Sequence, residues 1–102
     1  MKLKKQTPNK EATLFIWTLD QVLFVPQLSD EEIRVISKAK KYLLDGAYPI
    51  EILHRLALTL EHMDRENELS QSLINFKDQL PALCNEWFKS DLTPFIFRVS
   101  PL

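Results

Sequence analysis

Apolar residues along this chain fall into four runs with helical spacing, separated by short polar or proline-bearing breaks. In the first run Ala12, Phe15, Ile16, Leu19, Val22 and Leu23 recur at three- and four-residue steps, one face of a helix. The pattern predicts a helix over about residues 9–24, stopped by Pro26, whose predecessor is pushed out of the α region. Leu14, Trp17 and Phe24 fall off that face and form a second apolar stripe. The second run opens at Leu28-Ser29-Asp30-Glu31-Glu32-Ile33, where Ser29 and Glu32 have capping-box spacing and Leu28 and Ile33 the positions of a hydrophobic staple. Three acidic groups there suit the positive end of a helix dipole. A helix over about residues 30–45 follows, with Ile33, Ile36, Ala39, Leu43 and Leu44 expected inward and Arg34, Lys38 and Lys41 outward. Gly46, able to take a left-handed conformation, ends it.

Pro49 suits the first position of a third helix, where a missing N–H costs nothing. Ile50, Ile52, Leu53, Leu56, Ala57, Leu60 and Met63 make its buried stripe, over about residues 49–63. Leu58 is expected outward, among Glu51, His54, Arg55 and His62. The short link from Gly46 to Pro49 folds the second and third helices back on each other. "DREN" breaks the pattern, and Ser70 caps a fourth helix over about residues 71–90, with Leu69 and Ile74 as its staple. Leu73, Phe76, Leu80, Leu83 and Trp87 continue in one helical phase across Pro81, so a kink or restart is expected there and no chain reversal. Residues 92–102, with two prolines and β-favouring side chains, read as an extended tail. The expected architecture is all-α: one domain, residues 1–102, forming an antiparallel four-helix bundle with a short extended C-terminal tail. The tail's Phe95, Ile96 and Phe97 are the expected cover for the Trp17 stripe, and a partner surface is the alternative.

Composition narrows the function. A single Gly among 102 residues disfavours an all-β fold of tight turns. Net charge −1 gives no electrostatic footprint for nucleic acid, since the basic surplus is confined to the first residues and the Arg34 stripe. One cysteine, Cys84, cannot form an internal disulfide and suits a reducing compartment, where it reads as a small core hydrophobe. No stretch has the length and apolarity of a signal peptide or membrane span, so a cytosolic, soluble chain is expected.

Catalytic groupings do not emerge. His54 and His62 lie eight positions apart on one helix, about 12 Å, too far to share a metal ion. A Cys–His nucleophile pair would need a base brought to Cys84 from another helix, which no sequence signal indicates. There is no Gly-rich phosphate loop. No catalytic, metal or cofactor residues are therefore assigned, and an enzyme is not expected.

The order of caps and turns resembles the immunity proteins of class II (pediocin-like) bacteriocins, especially the enterocin A immunity-like group of Gram-positive bacteria. The resemblance covers roughly Leu19 to Leu80 and rests on "LSDEE" opening the second helix, "KAKKYLLDGAYPIEILHRL" crossing the turn, and "RENELS" leading into the fourth. The chain departs from the family in its slightly acidic charge and in Pro81 within the fourth helix. The resemblance implies a non-enzymatic cytosolic bundle that protects the producing cell from its own pore-forming peptide. In the family picture such a protein acts from inside on the mannose phosphotransferase permease once the bacteriocin has engaged it. The family picture also attributes specificity to the C-terminal half; proximity to the inner face of the membrane and a monomer are expected, and the charge leaves no nucleic-acid partner expected. The candidate partner surface here is Phe95, Ile96, Phe97 and Arg98 on the tail, Trp87 and Phe88 at the end of the fourth helix, and the stripe Arg34, Lys38, Lys41. The rival readings are a small helical regulator or antitoxin and an assembly chaperone.

Overall fold

The computed structural model describes residues 10–89 and 100–102. Four helices follow one another: α1 (Lys10–Leu23), α2 (Asp30–Leu44), α3 (Pro49–Arg65) and α4 (Gln71–Phe88), and the described residues contain no strand. All four boundaries lie within about two residues of those expected, because the chain marks its own helix ends. Ser29 Oγ accepts from Glu32 N–H, and the Glu32 carboxylate reaches back to Ser29 N–H, 2.8 Å, completing the capping box. At the other end of α2, Gly46 adopts φ 97°. Its N–H donates to Leu43 O (3.1 Å) and that of Ala47 to Tyr42 O (3.0 Å), so two otherwise orphaned carbonyls are satisfied. Asn67 repeats the device after α3, at φ 60°, with its own N–H on Asp64 O and that of Glu68 on Met63 O. Pro49 opens α3 as its first residue, and Ser70 caps α4.

The helices pack as a bundle around Phe15, Leu19, Ile36, Leu53, Leu56, Leu60, Leu73, Leu80 and Cys84, all inaccessible to solvent. The expected inward faces of α1 and α3 are the ones that face the core, and the α4 seam holds its phase: α4 runs uninterrupted across the exposed Pro81, without the restart. Any kink at Pro81 leaves the helix in one piece.

Two expectations are corrected. On α2, Ile33 and Leu44 are exposed (42% and 61%) and Val35 takes a core position instead. The buried arc is Val35, Ile36, Ala39 and Leu43, and at about 100° per residue Leu44 falls one full step past its edge. On α3, Leu58 is buried, together with His54 and Thr59. The helix is covered on both sides: α1, α2 and α4 surround its main stripe, and Ser100–Leu102 lie on its back. Leu102 N–H donates to Thr59 Oγ1 (2.8 Å), Arg55 Nε donates to Ser100 O (3.1 Å), and the Leu102 side chain packs on the core. The Arg55 guanidinium in turn stacks 5.0 Å from the Tyr42 ring centre, tying α3 to α2. The expected tail cover by Phe95, Ile96 and Phe97 lies outside the described residues.

A candidate interaction surface

Glu32 is the most constrained polar group of the described structure. Besides closing its own capping box, its carboxylate accepts from Ser70 N–H at 2.6 Å, so one buried side chain caps the starts of α2 and α4 together. Burial pushes its pKa up, but the N–H groups of Ser70 and Ser29 outweigh that and hold it below the ordinary carboxylate value. Two helix N-termini converge on one negative charge, and the geometry favours the ionised form. The sequence announced the local half of this arrangement. The contact with Ser70, 38 residues away, had no local signal.

The basic stripe of α2 stands outward as expected, with Arg34, Lys38 and Lys41 exposed. Two of its members are engaged along the helix: Arg34 pairs with Glu31, and Lys41 with Asp45 at 3.2 Å. Such exposed pairs contribute little stability, and a charged partner can replace them at small cost. Trp87 and Phe88 belong to another surface. Both are half-buried and pack against the core, Trp87 with its ring centre 5.5 Å from that of Phe15 on α1. A shallow cavity of about 290 Å³ opens beside Trp87, lined by Lys10, Glu11, Leu14, Glu86 and Lys89. Phe95, Ile96, Phe97 and Arg98 lie outside the described residues, so the structure places two of the three candidate groups, on different sides.

A larger apolar surface joins α1 and α2. Trp17 is 61% and Phe24 79% exposed, and the Ile33 and Leu44 side chains released from the core stand open as well. Positions 17 and 20 share one stripe of α1, with Phe24 in the turn just past its end, and 33, 37, 40 and 44 share one stripe of α2 at steps of three and four. Asp20 and Lys40 join the two stripes by an ion pair of 2.6 Å. The adjoining stripes therefore make a single outward groove. The Trp17 half was legible in the sequence; the Ile33 and Leu44 half was assigned to the core, and only the competing claim of Val35 hinted otherwise.

His54 does come from another helix to Cys84: its Nε2 lies 3.9 Å from Sγ. Cys84 is fully buried and His54 nearly so, which leaves a substrate no approach to the sulfur, and burial lowers the His54 pKa toward the neutral imidazole. The pair is a polar contact inside the core. Farther along the contact between α3 and α4, Lys77 reaches Glu61, Asp64 and its own neighbour Asp78 at 3.3, 3.4 and 3.3 Å. Burial opposes its charge, but the three carboxylates raise its pKa overall. Among the described residues no three His, Cys, Asp or Glu side chains gather as a metal site would require, and no helix is long and apolar enough to cross a membrane. Compared with family models, curated proteins and solved structures, the chain finds no match.

Proposed function

We propose that this chain is an immunity protein of the class II bacteriocin type, protecting a producing cell from a pore-forming peptide. It acts from the cytosol on the mannose phosphotransferase permease once the peptide has engaged it. The observation that carries the reading is the use made of the three resemblance segments. "LSDEE" forms the α2 capping box, "DGAYP" forms the α2–α3 reversal, and "RENELS" delivers Ser70 to Glu32. All three segments act as folding signals in this chain, and two of them meet at the Glu32 carboxylate, which supports the reading. The exposed stripe Arg34, Lys38, Lys41 is the described part of the proposed contact, and Trp87 and Phe88 contribute only the edges that packing leaves open.

A second reading, a small helical antitoxin or assembly chaperone binding another protein, draws support from the exposed Trp17 and Phe24. Expression of the intact chain in strains sensitive to pediocin-like peptides separates the two. Immunity predicts survival against at least one such peptide, and loss of survival when Arg34, Lys38 and Lys41 are all changed to Glu while far-UV helicity is kept. Sensitivity to every peptide of the class, with the folded protein present in the cells, favours the second reading. A gene for a small secreted peptide with a double-glycine leader beside this one is the genomic counterpart of the same test.

A further inference from the structure

We infer that the outward groove between α1 and α2 is a self-association surface, occupied by the same groove of a second copy of this chain. The inference is independent of the immunity reading and replaces the monomer that the sequence led us to expect. Four large apolar side chains, Trp17, Phe24, Ile33 and Leu44, stand exposed there, contributed by two helices that the Asp20–Lys40 pair holds side by side. Aromatic side chains carry about 150–250 Å² each, so Trp17 and Phe24 at their observed exposure offer about 250–300 Å² before the aliphatic pair is added. An apolar surface of that order is at the level that marks contact sites on monomeric proteins. Helices of 14 and 15 residues are about 20 Å long and pack about 10 Å apart, which sets a footprint below the standard interface size and hence a weak, reversible association.

Charge argues against an anionic occupant. At the centre of the groove one negative and one positive group already balance each other, both only partly exposed. An anionic lipid surface or nucleic acid calls for a basic excess, and the chain has a net charge of −1. A second copy calls for none. With a two-fold axis along the groove, α1 of one copy lies on α2 of the other, antiparallel. Trp17 and Phe24 then meet the partner copy's Ile33 and Leu44, and the Asp20 of each copy faces the Lys40 of the other. Four charges alternate in sign and the apolar residues close over them. The stripe Arg34, Lys38, Lys41, farther round α2, stays outside.

Sedimentation equilibrium of the intact chain from about micromolar to about millimolar concentration reads the association directly. We expect a monomer–dimer equilibrium within that range, and quenching of Trp17 fluorescence by iodide (measured in a Trp87→Phe background) that falls as dimer forms. Trp17→Glu and Phe24→Glu, both at exposed positions, should each weaken association at least about tenfold with far-UV helicity unchanged. Asp20→Lys should also weaken it, and the swap Asp20→Lys with Lys40→Asp should restore it. A chain that stays monomeric throughout the range overturns the proposal. So does a dimer that survives Trp17→Glu together with Phe24→Glu. Binding of a monomeric chain to phosphatidylglycerol vesicles, lost in those same variants, also overturns it and gives the groove to a lipid surface.

Discussion

Helix α3 and the α1–α2 outer groove are both rich in apolar residues, and they meet opposite fates. On α3, even Leu58, which shares a helix face with Glu51, Arg55 and His62, is buried, and His54 and Thr59 go in with it. On the groove, Trp17 and Phe24 stay 61% and 79% exposed although each is larger than any apolar side chain of α3. Apolar content therefore does not decide burial in this protein. Position in the bundle does: α3 packs on α1, α2 and α4 and carries Ser100–Leu102 on its back, and the outer edges of α1 and α2 have no such cover among the described residues.

The sharpest way to break the contrast is to truncate one residue from each region. Leu56→Ala, at a site with no solvent access, should cost about 2–5 kcal/mol by lost transfer energy and cavity. Trp17→Ala should shift the urea midpoint of the monomer hardly at all, within about 0.5 kcal/mol. Equal costs for the two would mean that Trp17 is covered.

The Glu32 junction tests whether α3 is held central by its neighbours' helix starts. Glu32→Ala leaves Ser29 N–H and Ser70 N–H without their charged acceptor and should cost about 1.5–3 kcal/mol. The pH dependence has a definite sign. The folded-state pKa of Glu32 lies below the ordinary carboxylate value of the unfolded chain, so its contribution is complete above that value and is lost as pH falls through the folded-state pKa. Wild type should therefore lose more stability than Glu32→Gln between neutral pH and acid, in parallel urea titrations. Parallel losses would mean that the carboxylate is not held ionised.

Gly46→Val probes the reversal that sends α3 back into the bundle. A β-branched residue at φ 97° should cost about 1–2 kcal/mol, seen as a lower denaturation midpoint with helicity intact. A smaller effect, about 1 kcal/mol, is expected from Thr59→Val, which removes the acceptor of Leu102 N–H. Hydrogen exchange at the Leu102 amide should quicken in that variant while the amides of Leu56 and Leu60 stay protected. An unchanged Leu102 amide would remove the reason given for the burial of Leu58.

Much of this protein was written locally. Ser29 with Glu32, Gly46, Pro49 and Ser70 each satisfy or excuse backbone groups within a few residues of themselves, so the number, limits and reversals of the helices follow from the chain by short-range chemistry. The helical phase of Phe15, Leu19, Leu53, Leu56, Leu73 and Leu80 likewise named most of the core in advance. What required the tertiary structure were the questions of neighbours. Ile33 and Leu44 lie past the edge of the arc that their helix buries, and only the packing of α2 against its neighbours decided that they stay outside while Val35 goes in. Leu58 and His54 look exposed on a helical wheel, yet a strap 43 residues away from Thr59 arrives on the back of their helix, and His54 meets Cys84 across 30 residues. Periodicity reports which face of a helix is apolar. How many faces find a neighbour is settled by contacts between residues far apart in sequence, and no local pattern encodes them.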